Sequence, residues 1–346
     1  MGKRYNGGAV RVAFIGVGNW AEVLATAAQK SRRVEIAACW SRGEASCLAF
    51  AGRHGGTARK TYRDVVTDER IDAVILTTPN SLHAIQTIEA LKNGKHVFVE
   101  KPMALAVGDC KQMIAAAKDA GRVLAVGHKE RRLARMRKAK ELIDHGAVGR
   151  VVLVEASHCD DIGSRLTPQM WQWSRKETPG GPLCSLTVHH ADNMNHLIGP
   201  VKRLTAFIGK ICGPAETDDV VSAAVEFESG ALGYLGGTFI TPRRKFFQVH
   251  GTEGIILVDQ EGGAVYHQKK GAENLIRIEG LPDDKTQRAA SSAEEIDEFA
   301  ACIQEGGRPE TGGEEGLAAW AVMEAFIRSA QSGLPVAVQD VLTGSH

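Results

Sequence analysis

Aromatic residues are scarce, at 5% of the chain, which argues against a broad stacking platform for sugars. Charge of either sign is not in excess. Forty-two lysines and arginines face 41 aspartates and glutamates, for a formal net charge of +1. That balance favours neither nucleic acid nor a membrane surface as a partner. No apolar run approaches the roughly 20 residues that span a bilayer. Seven cysteines stand at 39, 47, 110, 159, 184, 212 and 302, an odd and widely spaced set without a CxxC pair. They fit free thiols in a reducing cytosol better than a disulfide framework or a thiolate zinc site, and a cytoplasmic location is expected. The opening "MGKRYNGGAVRVAFIG" lacks the apolar region and cleavage site of a secretory signal. Asn6 stands where a myristoylation signal prefers Ser or Thr.

What is present is a rhythm. The 346 residues suffice for about two domains. "VRVAFI" (10–15), "VEIAACW" (34–40), "IDAVILTT" (71–78), "HVFVE" (96–100) and "RVLAVGH" (122–128) read as apolar strands, with helical patterns between them. Alternation of this kind predicts a doubly wound parallel sheet covered on both faces. After a helix over 135–149 the rhythm changes to strand-like runs joined by turns such as Ser229-Gly230 and Gly262-Gly263. Two helices close the chain. The fold class expected is therefore α/β: residues 1–128 form a dinucleotide-binding domain, and 129–346 an α+β domain with a large, mostly antiparallel open sheet.

Gly16-Val17-Gly18-Asn19-Trp20-Ala21 lies between the first strand and first helix. Gly16 suits a tight turn, Gly18 admits a pyrophosphate close to the backbone, and Ala21 lets helix and strand pack. The next strand ends in Trp40-Ser41-Arg42, with no acid for the ribose hydroxyls. Ser41 and Arg42 suit a 2′-phosphate, so NADP is preferred over NAD, although Glu44 keeps NAD open. Thr78, Pro79, Asn80 and His83 close the 71–78 strand and are expected along the nicotinamide half, His83 alternatively facing solvent from a first helical turn. Strand 96–100 ends in Glu100-Lys101-Pro102. A lysine there can exchange a proton with a substrate oxygen, or simply pair with Glu100 at the surface. "GGPLCSLTVHHADNMNHLIG" (180–199) carries His189 and Asp192 on one helical face, a pairing suited to proton relay with an orienting carboxylate. His158, Cys159, Asp160, Asp161, His189, His190 and Asp192 lack HxxxH or CxxC spacing, and no metal is expected.

With GVGNWA, EKP and the GG…HHAD segment in that order, the chain resembles the Gfo/Idh/MocA oxidoreductases over nearly its whole length. The resemblance implies hydride transfer between nicotinamide and a secondary alcohol or ketone of a small polar cyclic substrate: a sugar, a cyclitol, a sugar acid or a carboxylated dihydrodiol. It places Lys101 and His189 on the catalytic lysine and histidine, with Asp192 matching the acid beyond. Trp171 falls where a Trp-Arg pair often meets the cofactor, but Gln172 replaces the arginine. Ser185 replaces the aspartate usual before the histidine, and cannot supply its negative charge. That departure leaves open a redox-assisted lyase or epimerase that retains its cofactor, and a non-catalytic sensor of the same fold. "GHKERRLAR" (127–135) implies substrate contacts from His128 and Arg131, and its cationic character suggests an anionic group on the substrate. His190, Ser185 and His189 complete the expected substrate contacts. The resemblance also implies a homodimer or homotetramer built through the second sheet.

Overall fold

Each apolar run meets a glycine or polar turn before a helical pattern begins, and the computed structural model follows that punctuation. It describes residues 8–344; the expectations about the first seven residues lie outside the described residues. The chain divides into two units, one comprising residues up to Lys129 with Ala289–Leu317, the other Glu130–Arg288 with Ala318 onward.

The first unit runs β1 (Val10–Ile15), α1 (Asn19–Ala28), β2 (Val34–Trp40), α2 (Glu44–His54), β3 (Thr57–Ala58), α3 (Tyr62–Val66), β4 (Ala73–Leu76), α4 (His83–Lys92), β5 (His96–Glu100), α5 (Val107–Ala120) and β6 (Leu124–Gly127). All strand pairs are parallel, in the order β3-β2-β1-β4-β5-β6. The order reverses between β1 and β4, the point where open α/β sheets place ligands beyond their carboxyl edge. Strand β4 is buried along its whole length, as a sheet covered on both faces requires.

The second unit contains α6 (Ala134–Asp144), β7 (Val151–Cys159), α7 (Val188–Leu197), β8 (Val201–Gly209), β9 (Val220–Phe227), β10 (Leu232–Thr238), β11 (Arg244–Gly251), β12 (Gly254–Asp259), β13 (Ala264–Lys269) and β14 (Ile276–Arg277). Helices α8 (Asp284–Glu305) and α9 (Gly313–Ser332), strand β15 (Val336–Ala337) and α10 (Val338–Thr343) follow. The nine strands lie in the order β14-β13-β12-β11-β7-β10-β9-β8-β15. All neighbours are antiparallel except β7 and β10. Side chains two apart share a face. Lys245, Phe247 and Val249 of β11 therefore point the same way, beside His158, Ala156 and Val154 of β7, and all six are buried. Among the described residues no helix is long and apolar enough to cross a membrane.

The division differs from two contiguous domains meeting at residue 128. Helix α8 places Ile296, Phe299, Ala300 and Ile303 at helical spacing in the same core as Val10, Leu24 and Phe98. Phe299 meets the Phe98 ring edge-on with centroids 5.9 Å apart. Ser31 donates to Asp297 at 2.6 Å, and Arg33 pairs with Glu305 at 2.7 Å. Thr311 and Val126 exchange two hydrogen bonds, which covers the β6 edge. The first unit is thus completed by residues about 170 positions beyond its last strand, a distance no local pattern reveals. Phe299→Ala should lower the unfolding free energy by about 3–5 kcal/mol, through lost burial and the cavity left behind. Chemical denaturation measures this; a loss under about 1 kcal/mol would mean that α8 is not integral to the core.

Candidate active site

Gly16 makes the first turn of the carboxyl edge possible. Its φ is +85°, and a Cβ there would lie 2.8 Å from the Thr77 carbonyl oxygen. Its N–H donates to the Trp40 carbonyl at 2.8 Å, and the Thr77 hydroxyl donates to its carbonyl at 2.7 Å. The glycine turn is thereby stitched to both neighbouring strand ends. Beyond it, Gly18 and Asn19 are exposed, and nothing lies within 4 Å of where a Gly18 side chain would be. Helix α1 begins here with no side-chain cap. Its first amides thus face open space, with the positive end of the helix dipole behind them, which fits a dinucleotide pyrophosphate. Ala21 is fully buried against the sheet.

Strand β5 delivers Glu100 to the same edge, 6% exposed. Its carboxylate accepts the Trp20 indole N–H at 2.5 Å and the Lys101 backbone N–H at 3.1 Å. Lys129 sits with Nζ 3.9 Å from the Trp20 ring centre, a cation–π contact. Burial pushes the Glu100 carboxyl up, against the opposing pull of Lys101, the indole and Lys129. Gly127 on neighbouring β6 is needed as well, since a Cβ there would meet Glu100 Oε1 at 2.6 Å. Lys101, half-buried, follows directly, and its peptide bond to Pro102 is cis. Met103 packs beneath, 2.9 Å from where a Gly316 Cβ would stand.

His83 does not face solvent. It is 1% exposed, with Nδ1 2.8 Å from the Pro102 carbonyl and Nε2 2.9 Å from the Thr78 carbonyl. It ties the Glu100-Lys101-Pro102 turn to the end of β4, and so shapes the edge rather than facing solvent. The Thr78 hydroxyl is also engaged, donating to Gln86 at 2.7 Å. Asn80 is buried at the start of a short 3₁₀ turn, behind half-buried Pro79. At the end of β2 the Ser41 hydroxyl lies 3.3 Å from Cys47 Sγ and from the Gly43 carbonyl. Arg42 is exposed and, among the described residues, makes no ion pair. His128 is buried at the end of β6.

In the second unit Gly180 and Gly181, both at positive φ, turn the chain into a π-helical segment, Leu183–Thr187, that runs on into α7. Ser185, half-buried, sits one turn before His189, which is 6% exposed. Asp192, one turn beyond His189 on α7, is 1% exposed. Its two oxygens accept from Arg131, Nη2 to Oδ1 at 2.5 Å and Nε to Oδ2 at 3.0 Å. Arg131 is thereby neutralised by a bidentate partner. Trp171 opens a 3₁₀ turn in the long β7–α7 connection and is half-buried. His190 is fully buried, with Nε2 3.1 Å from the Ser157 carbonyl, so its ring faces the sheet.

A buried ion pair escaped the sequence reading. Lys245 Nζ lies 2.5 Å from Glu130 Oε2, with the side chains 3% and 5% exposed. Burial alone would raise Glu130; the Lys245 ammonium, then His189 and His158, hold it well below the usual carboxylate range. Burial pushes Lys245 down to about 8 against the pull of Glu130. The available signal was the phase of Lys245 with Phe247 and Val249, which puts a lysine on a buried face.

The chain matches the GFO_IDH_MocA model, an oxidoreductase family with an NAD-binding Rossmann fold, over residues 10–128, and the GFO/IDH/MocA C-terminal domain over 136–257. It is 30% identical to 1,5-anhydro-D-fructose reductase of Ensifer adhaerens, over 93% of this chain and 97% of that one. It is 31% identical to 2,7-anhydro-N-acetylneuraminate hydratase of Escherichia coli, over 67% of this chain and 64% of that protein. A solved structure from Desulfitobacterium hafniense, designated an NADPH-dependent oxidoreductase, superposes with a TM-score of 0.89 at 30% identity, covering 98% of this chain and all of that one. The chain belongs to the GFO/IDH/MocA oxidoreductase family and is an NAD(P)-dependent oxidoreductase.

Burial holds the His190 imidazole down at about 3. An unfolded histidine binds its proton near 6.5, so between those values the unfolded chain carries the extra proton and stability falls as pH falls. At pH 5 this one group should cost roughly 2 kcal/mol relative to pH 7.5. Urea unfolding at both pH values should show the loss, and His190→Asn should shrink it by a similar amount; an unchanged difference would contradict the assignment.

Proposed function

We propose that the chain transfers hydride between NADP(H) and a secondary alcohol or ketone of an uncharged cyclic sugar, with 1,5-anhydro-D-fructose the first substrate to try. The observation that carries this reading is Lys101 at the carboxyl end of β5, on the same sheet edge as the open turn at Gly18 and Asn19. When bound, the nicotinamide supplies or accepts the hydride. Gly16, Gly18, Asn19 and the α1 amides bind its pyrophosphate. Trp20 and Thr78 to Asn80 bound the remainder of the edge. Lys101 hydrogen-bonds the reacting oxygen and exchanges its proton, while Glu100 fixes the backbone from which it projects. His189 is the partner in proton exchange, and Ser185 contributes a hydroxyl to the substrate.

The substrate expectation changes in one respect. Three of the four lysines and arginines in the 127–135 stretch are already occupied: Lys129 over Trp20, Arg131 on Asp192, and Arg135 on Asp284 at 2.8 Å. Paired cations give no ready seat for a carboxylate, which favours a neutral sugar over a sugar acid or carboxylated dihydrodiol. NADP is preferred because exposed Arg42 beside Ser41 suits a 2′-phosphate; the designation of the Desulfitobacterium relative supports this. A homodimer or homotetramer is favoured by apolar side chains exposed on the outer face of the second sheet. There Leu153 and Leu232 are neighbours on β7 and β10, and Phe207 is 76% exposed.

Ser185 in place of an acid, together with the hydratase among the relatives, favours a second reading in which the cofactor is oxidised and restored within one turnover. Absorbance of reduced nicotinamide, followed with NADP or NAD against a panel of anhydro sugars, sugars and cyclitols, separates the two. Steady net conversion supports the first. Product without net change in nicotinamide supports the second. Lys101→Met should lose about 1000-fold or more in turnover and keep its affinity for reduced cofactor; full activity would remove Lys101 from the chemistry. Arg42→Ala should raise the KM for NADP about tenfold and leave that for NAD unchanged; equal effects on both would refute the 2′-phosphate role.

A further inference from the structure

The Glu130–Lys245 pair is an expensive object to bury, because both charges leave water. Glu130 is the second residue of the short 3₁₀ turn Lys129–Arg132, and Lys245 reaches it from β11, across from His158 of β7. The edge-on His158 and His190 rings, with centroids 6.0 Å apart, lie on the same inward face. Both rings are held neutral, His158 by burial and then Lys245, and His190 by burial. Arg131, next to Glu130, clamps Asp192, which lies one turn along α7 on the face that carries His189, so the turn bearing Glu130 lies against that face. His189 is thus the imidazole whose proton the Glu130 carboxylate can reward. The surrounding charges do not substitute for it. Arg131 is balanced by Asp192, Arg135 and Arg288 act on Lys245, and Arg243 acts on His158.

We propose that the buried Glu130–Lys245 pair sets the proton affinity of His189, Glu130 raising it and Lys245 lowering it. Glu130 thereby supplies, from a different element, the negative charge that Ser185 cannot. The two are positioning residues, and their role rests on the reading of His189 as a proton carrier. One carboxylate is shared by two cations, so a proton gained at His189 draws Glu130 away from Lys245. The proton affinity of His189 and the ease with which Lys245 gives up its own proton are therefore linked.

The test is an imidazole NMR titration of the whole protein, with His189→Asn used to assign the His189 resonance. Glu130→Gln should move the His189 midpoint down by about one pH unit or more, and Lys245→Met should move it up by a similar amount. Shifts of opposite sign cannot come from general loosening. Shifts of the same sign, or none, in folded variants would overturn the proposal. Removing one member of a buried pair strands the other, so the unmodified protein provides a second measurement. Its His189 resonance should show a further inflection at alkaline pH as Lys245 titrates, and a single simple curve there would also overturn the proposal. The acid limb of kcat/KM should follow the same shifts. The titration reads His189 whether or not any sugar turns over, so its failure is distinct from failure of the proposed reaction.

Discussion

A carboxylate buried at the end of a parallel strand is the constraint around which the first unit's ligand edge is arranged. Glu100 cannot reach water, so it must be met by donors and cations. It receives the Trp20 indole from the glycine-turn helix and the Lys101 backbone from its own strand end, with Lys129 close by. Gly127 is small because the carboxylate occupies the space beside it. Three separate chain segments are thereby held to one point, and Lys101 emerges from it. The lysine that stands so oddly at the tip of a core strand is there because the strand ends on the ligand side of the sheet.

The second unit solves a similar problem with a different set. A lysine and a glutamate are buried face to face, and His158 stands opposite the lysine on the neighbouring strand. The pair costs stability in isolation, as buried ion pairs generally do. Its retention is intelligible if the charges are needed to tune a neighbouring proton. The same economy appears in the cationic stretch before α6, where Arg131 and Arg135 each meet a carboxylate of their own unit. Positive charge on Arg131 and Arg135 that looks available for a ligand in the sequence is committed to the fold.

What was legible in the sequence was local. The strand-turn-helix around Gly16, the apolar strands, and the Glu100-Lys101-Pro102 ending are written in spacings of a few residues, and the order of motifs disclosed the family. What was not legible depends on long-range pairing. Arg131 and Asp192 are 61 positions apart, and Glu130 and Lys245 are 115 apart. The completion of the first core by Phe299 crosses a longer span still. His83 illustrates a subtler failure. Its position at a helix start left solvent open, but the ring is buried between the carbonyls of Pro102 and Thr78.

The most direct test of the central claim, that hydride moves between nicotinamide and a carbinol carbon while Lys101 handles the proton, is the fate of a label. Reduced cofactor carrying deuterium at both C4 positions would be supplied with the substrate that turns over, and the product examined by NMR. The account predicts a single deuterium on the new carbinol carbon, with net oxidation of the cofactor, and none of that transfer in Lys101→Met. Product that lacks the label, or that forms at the normal rate without Lys101, would contradict it.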